Sequence, residues 1–342
     1  MSRFLFIRFS AIGDVAMSIP VIYSFAVQYP EHEITVLSKS SLASLFAEMP
    51  ANVSFLGIDV KRYKGLIGLN KLYKELKAAK FDYVADLHNV LRTKYLRLRF
   101  KLDGVPVAHI FKDRIGKKKL VRRFHKELVN QKSSFRRYED VLKDLGFPIQ
   151  LNFVSIYGED KGNLSLIKEV TGDKNGMKWL GIAPFAKHKG KIYPLEMQEQ
   201  VVAYFAAKSD VKVFLFGSGK EEEEVFKKWI EKYPSLNSMI GKLKMNTELI
   251  LMSHLDVMLS MDSANMHLAS LVNTPVVSVW GATHPYCGFM GWKQSPMNAV
   301  QVDLPCRPCS IFGQKKCYRK DYACLNMITP EMIIHRIESN LI

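Results

Sequence analysis

Apolar residues recur along this chain at two periods: short runs with the two-residue period of a strand, and longer ones with the three-to-four-residue period of a helix. Residues 4–9 alternate as a first strand, followed by the loop SAIGD and a helix over 15–28 with Pro20 in its early turns. EITVLSK (Glu33–Lys39) reads as a second strand, 40–49 as a capped helix and Val53–Ile58 as a third strand. A helix over 71–80 follows, then FDYVADL (81–87) as a fourth strand ending in the polar turn HNVLRT, then a basic helix through Arg99. SSFRRYEDVLKDLG (133–146) combines an N-cap serine, an i/i+3/i+4 apolar pattern and a closing glycine, which predicts a helix. GFPIQLNF closes this first series.

A second series opens near Trp179. WLGIAPFA is a strand ending in a proline turn, AKHKGKIYP a loop and LEMQEQVVAYFAAK an amphipathic helix. VKVFLFGSG is a strand running into a glycine turn, KEEEEVFKKWIEKY a helix, LNSMIGK a short strand and MNTELILMSH a helix. LDVMLS then predicts a buried strand, MDSANMHLAS a polar turn and helix start, 274–280 the next strand, and TPEMIIHRIESNL a capped last helix. Two such series predict an α/β protein of two Rossmann-like parallel-sheet domains facing a cleft. The expected domains are 1–165 and 166–342, with the last helix a candidate to pack back on the first, and a length of 342 residues agrees with two cores.

Composition changes this picture little, with 48% hydrophobic and 24% charged residues. No run of 18 uncharged apolar residues occurs, so no transmembrane helix is expected. The apolar N-terminus is interrupted by Arg8 and passes into a Gly-Asp turn, so it reads as a strand rather than a secretory signal, and the expected location is the cytosol. Charge changes the picture more. The net charge is +16, and Arg92 to Lys126 holds thirteen Lys or Arg against two Asp. Such a block predicts an anionic partner: a phosphorylated substrate, an acidic membrane surface or nucleic acid. Nucleic acid is disfavoured, because no reading motif is present and the charge sits in one domain. Within the block, Leu120, Val121 and Phe124 are spaced for one apolar helical stripe among cations. Of five cysteines, Cys306, Cys309, Cys317 and Cys324 form C-x2-C-x7-C-x6-C. Four thiolates suit zinc, but the second pair is no tight knuckle, so metal binding and reduced thiols in a long loop both stay open.

In open α/β sheets ligands bind beyond the carboxyl ends of strands, which directs attention to four turns. SAIGD carries Gly13, which permits close backbone approach, and Asp14, which suits either a helix cap or a base toward a substrate hydroxyl. AKHKGKIYP places three Lys in five positions, enough to neutralise a departing diphosphate or simply to form a solvated basic loop. GSGKEEEE has half of a glycine fingerprint and is no P-loop. In MDSANMHLAS, Ser263 and His267 lie four apart at a helix start, where both can flank an anion, although a plain capped helix has the same pattern.

Taken in order, IRFSAIGDVAMSIP, DLHNVLRTKYL, KIYP, LFGSGKEEE and MDSANMHLAS…TPVVSVWGATHP resemble glycosyltransferase family 9, the ADP-heptose:lipopolysaccharide heptosyltransferases. The resemblance implies a GT-B fold and inverting, metal-independent transfer, with no cofactor beyond the nucleotide-sugar donor, ADP-heptose. It implies Asp14 as catalytic base. On the donor side it implies Lys191, Tyr193 (where Trp is common), Gly217, Glu221 or Glu222, Asp262, Ser263, Ala264 and His267. Ala264 departs from the family's Gly, which puts donor identity in question. The partner expected on the acceptor side is an anionic lipid-linked glycan at the inner face of the cytoplasmic membrane. Gly13, His88, Arg92, Lys117, Lys118, Lys119, Arg122 and Arg123 are its expected contacts.

Overall fold

Five apolar runs of the first half pair as parallel strands: β1 (Arg3–Ile7), β2 (Glu33–Lys39), β3 (Val53–Ile58), β4 (Tyr83–Asp86) and β5 (Val107–His109). Their order is β3-β2-β1-β4-β5, so the direction of winding reverses between β1 and β4. Phe4 to Ile7 are essentially inaccessible, as befits a central strand covered on both faces. The second half repeats the plan with β6 (Lys178–Ala183), β7 (Val211–Leu215), β8 (Asn237–Ser238), β9 (Val257–Met261), β10 (Val276–Val279) and β11 (Ala299–Val300). Here the order is β11-β10-β9-β6-β7-β8, with the reversal between β6 and β9. In sheets of this type the crevice beyond such a reversal is the ligand position.

The computed structural model describes residues 1–341. It divides into one compact unit of Met1–Lys112 with Lys132–Ile156, and another of Asp113–Gln131 with Tyr157–Ile342. The chain thus changes unit after residue 156 rather than 165, and 113–131 groups with the second unit. Three contacts fasten that segment there. The Gln131 N–H donates to the Tyr286 carbonyl at 2.9 Å, Lys126 Nζ donates to the Pro308 carbonyl at 2.9 Å, and Lys117 lies 4.6 Å above the Phe289 ring.

Several elements depart from the sequence reading. The helix expected over 15–28 is two helices, Ile12–Ala16 and Ile19–Gln28. Pro20 sits in the first turn of the second, where its missing N–H costs nothing. Residues 40–46 form a 3-10 helix, and β5, three residues beside Pro106, is too short to show a period. The expected stripe of Leu120, Val121 and Phe124 does not form. The helix covers only Arg114–Leu120, Leu120 is buried and Phe124 is 70% exposed beyond its end. The chain leaves the helix at Val121, and His125 takes a positive φ of 50°. The last helix, Pro330–Glu338, packs within the second unit on the helix Leu195–Ala206 and on β10 and β11, with Ile333 and Ile337 fully buried. No helix among the described residues is long and apolar enough to cross a membrane.

Candidate active site

In the first unit the turn after β1 is built around a buried cation. Arg8 is 6% exposed and donates to the Leu87 carbonyl at 2.6 Å, while its other terminal nitrogen lies 2.8 Å from Asp14 Oδ2. The same carboxylate oxygen accepts the Ala11 N–H at 3.1 Å, and the Tyr138 hydroxyl donates to the Asp14 carbonyl at 3.2 Å. Backbone and side chain of Asp14 are both fixed, yet its side chain keeps 32% of its surface. Gly13 precedes it in the same short helix.

On the other side of the reversal, Asp86 closes β4 fully buried, and its Oδ1 accepts the N–H groups of His88 (2.9 Å) and Asn89 (2.8 Å). Its Oδ2 lies 3.5 Å from Arg97 Nε. This turn presents His88, whose Nδ1 accepts the Phe9 N–H at 3.4 Å. Burial, with Arg8 and Lys112 nearby, pushes the His88 imidazole down to about 3, so it is neutral at physiological pH. Arg92 stacks 5.7 Å from the Phe9 ring. Between these turns and the ends of β2 and β3 lies a cavity of about 550 Å³ lined by Phe9, Ser10, Lys39, Ser40, Asp59, Lys61, Lys64, His88 and Arg92, among others. Its cationic lining suits an anionic ligand.

In the second unit the corresponding turns follow β6 and β9. Lys191 Nζ lies 2.8 Å from Asp262 Oδ2, which also accepts the Thr283 hydroxyl at 2.7 Å. Lys191 is held from behind by Gly313, at φ +78°, where an added Cβ would stand 2.7 Å from the lysine stem. Asp262 leads into the helix Ala264–Leu271, whose N-cap, Ser263, makes no capping bond. The Ser263 hydroxyl lies instead 3.2 Å from that of Ser260. With no side-chain cap, the first-turn N–H groups and helix dipole remain available to an anion. His267 is buried one turn on. After β7, Glu222 bends back to the glycine turn and accepts the Ser218 N–H at 2.7 Å. Burial raises its carboxyl above the usual range, and its Oε2 fills the space beside Gly217, 2.7 Å from where a Cβ would stand. Thus each unit has a polar site at its own topological reversal, one with a fixed carboxylate and a basic cavity, the other with a lysine and a helix N-terminus.

The family model described as Glycosyltransferase family 9 (heptosyltransferase) matches residues 69–318, most of the chain. The chain belongs to glycosyltransferase family 9. Among similar proteins, lipooligosaccharide heptosyltransferase 2 of Campylobacter jejuni is 23% identical over 337 residues, covering 96% of this chain and 95% of its own. The structure of Escherichia coli ADP-heptose lipopolysaccharide heptosyltransferase II superposes with a TM-score of 0.72 at 19% identity, over 99% of this chain and 98% of that one. Escherichia coli heptosyltransferase WaaC with ADP-2-deoxy-2-fluoro heptose gives 0.66 at 16% identity, over 99% of both chains. The fold is therefore GT-B, and this family 9 glycosyltransferase is an enzyme.

Not every residue singled out in the sequence stands at these turns. The Tyr193 side chain is fully buried and its hydroxyl donates to the Ile328 carbonyl at 2.7 Å, so the ring packs in the core behind the loop. Of the glutamates, Glu222 reaches the glycine turn, whereas Glu221 is exposed. Gly13, His88 and Arg92 lie in the first unit, but Lys117, Lys118, Lys119, Arg122 and Arg123 belong to the second. Arg123 stacks 4.7 Å from the Tyr318 ring and Lys119 pairs with Glu127 at 3.1 Å. Cys306, Cys309, Cys317 and Cys324 are free thiols, and burial pushes Cys324 up to about 12. Among the described residues, no three His, Cys, Asp or Glu side chains are grouped to hold a metal.

Other residues escaped the sequence reading. Arg8 had left a sign, an arginine inside an apolar run, which demands a buried partner. Lys39 closes β2, Lys61 and Lys64 follow β3, and all three were open to the same rule that found the other turns. Thr283 lies in the quoted WGATHP stretch without being singled out, and Gly313 and Arg307 had no local sign. Arg307 is 3% exposed and donates to the carbonyls of Gly281 (2.6 Å), Trp280 (3.0 Å) and Thr283 (3.0 Å), clamping the loop that presents Thr283 to Asp262.

Proposed function

We propose that this enzyme transfers a heptose from ADP-heptose to an anionic, lipid-linked lipopolysaccharide-core acceptor, with inversion at the anomeric carbon. The observation that carries the reading is the Lys191–Asp262–Thr283 cluster beside an uncapped helix N-terminus, at the reversal of the second sheet. That arrangement suits a diphosphate leaving group. The relatives named above are heptosyltransferases, two of them by name of lipooligosaccharide or lipopolysaccharide, which supports heptose as the sugar. Asp14 removes the proton from the acceptor hydroxyl as that oxygen attacks the anomeric carbon. The bond to the diphosphate breaks on the opposite face, and ADP carries away its electron pair. Lys191 and the first-turn N–H groups at 263–267 meet the growing negative charge, in the role that metal ions fill in other transferases. Glu222 and Gly217 shape the nucleoside end of the donor site. Lys39, Lys61, Lys64 and Arg92 hold the phosphates or carboxylates of the acceptor, which the enzyme meets at the cytoplasmic face of the inner membrane.

Ala264 is the first helical residue, a conformation open to any L-residue, so its methyl adds bulk without backbone strain. A donor survey tests the assignment. Thermal stabilisation and turnover are compared across ADP-heptose and UDP-, GDP- and CMP-sugars, with ADP-heptose expected to lead in both. A different nucleotide leading in both overturns the donor assignment.

A further inference from the structure

The first unit presents large apolar side chains to solvent at the rim of its basic cavity. The helix Gly65–Ala78 opens with Leu66 and Ile67, 72% and 90% exposed, and the helix Leu91–Leu102 opens with Leu91, 86% exposed. These helices follow β3 and β4 of one parallel sheet, so both begin at its carboxyl edge and run the same way. Asn70 fixes their register, its Oδ1 accepting from the Tyr95 hydroxyl at 3.3 Å and from Arg99 at 2.6 Å. One turn earlier on each helix, that register sets residues 66–67 abreast of residue 91. Three exposed aliphatic side chains therefore share one end of the unit, with Lys61 and Lys64 just before the first helix, Arg92 just after Leu91, and all three of these cations lining the cavity.

The charge around this tip is mostly positive. Residues 59–75 contain five Lys or Arg and two acidic residues, Asp59 and Glu75. Lys71 and Lys74, both exposed, lie four and seven positions after Ile67 and so share its helix face. The neighbouring helix repeats the mixture. Its exposed positions are Leu91, Lys94, Leu98, Lys101 and Leu102, one helical face on which leucines and lysines interleave. An apolar tip within a lysine field is complementary to a bilayer interface, where acyl chains lie beneath anionic phosphates.

We propose that this end of the first unit docks on an anionic lipid bilayer, Leu66, Ile67 and Leu91 entering the interface while the surrounding lysines meet lipid phosphates. The inference rests on the lipid-linked acceptor of the proposed function, since docking here brings the basic cavity to the plane where the sugars of such an acceptor begin. Sedimentation with phosphatidylcholine vesicles containing phosphatidylglycerol tests it, comparing the full-length protein with a Leu66→Ser/Ile67→Ser/Leu91→Ser variant. Loss of three partly inserted aliphatic side chains is expected to weaken vesicle binding on the order of a hundredfold. Transfer to a water-soluble acceptor oligosaccharide stays unchanged in the variant, and transfer to vesicle-borne acceptor falls. In a separate Ile67→Trp variant, emission from the introduced indole shifts to the blue and is quenched by lipids brominated on the acyl chain. Equal vesicle binding by wild type and triple variant, or an indole emission in Ile67→Trp that vesicles leave unchanged, overturns the docking surface. A wild type that binds vesicles through these residues but transfers no heptose overturns the functional reading and leaves the docking surface standing.

Discussion

Asp262 holds Lys191 through one carboxylate oxygen, and an ammonium has three hydrogens to donate. The remaining donors suit a diphosphate, and the pairing keeps a 14% exposed lysine aimed without letting it wander. Replacing Lys191 by Met is expected to lower kcat about 10²- to 10³-fold, the usual cost of one transition-state charge contact. Steady-state ADP release reads it, and an unchanged kcat removes Lys191 from the leaving-group site. Two other residues make their predictions through pH. Burial pushes the Glu248 carboxyl up to about 7 from an ordinary 4.5, so the folded state holds its proton more tightly than the unfolded chain. The stability it contributes is complete below pH 4.5 and is lost as pH rises through 7. Glu248→Gln should therefore melt higher than wild type at pH 8, with the advantage vanishing at pH 4.5. His88 acts in the opposite direction. Its pKa is depressed from 6.5 to about 3, so its share of stability is complete above pH 6.5 and is lost as pH falls toward 3. A His88→Gln variant should lose less stability over that interval, and melting curves as steep in pH as those of wild type would contradict the half-buried neutral imidazole.

At the scale of elements, the loop after β10 is set by one guanidinium. Arg307→Lys removes the fork that bridges the Trp280, Gly281 and Thr283 carbonyls and leaves buried acceptors without donors. A loss of about 2–4 kcal/mol in unfolding free energy is expected. Donor affinity should fall with it, because Thr283 no longer steadies Asp262. Unchanged calorimetric values for both would show the clamp to be idle. Strands and most helices could be read from the chain because each buries one period of apolar residues, and the turns carrying Asp14, Lys191 and Asp262 could be read because strand ends are where open sheets bind. What could not be read depends on tertiary partners. Tyr193 is a donor-side residue only by the family resemblance, and no local pattern shows that its ring lies in the core with its hydroxyl on the Ile328 carbonyl. Gly313 backs Lys191 from a distant loop, and no local pattern announces such a contact. The basic run 117–126 suggested a longer amphipathic helix, yet the helix ends at Leu120 and cations of the run lie on second-unit aromatics and carbonyls.

For the whole molecule, one half of the proposed reaction falls to each unit. In that proposal the first supplies the base and the basic cavity for the acceptor, and the second supplies the charges that receive the diphosphate. The net charge of +16 then has two local outlets in the first unit, the cavity itself and the lysine-rich helices beside the apolar tip. Its dependence on salt should follow from exposure: binding to anionic vesicles weakens steeply as ionic strength rises, because lysines at the surface are screened within about 10 Å at 0.1 M salt. Donor binding, with its proposed contact at the mostly buried Lys191, is expected to change less. The most direct test of the division is single-turnover heptose transfer by Asp14→Asn, with ADP-heptose binding measured on the same preparation. Transfer slowed about 10²- to 10⁴-fold with donor affinity unchanged is the predicted result, as for loss of a general base. Transfer at the wild-type rate by Asp14→Asn would contradict it.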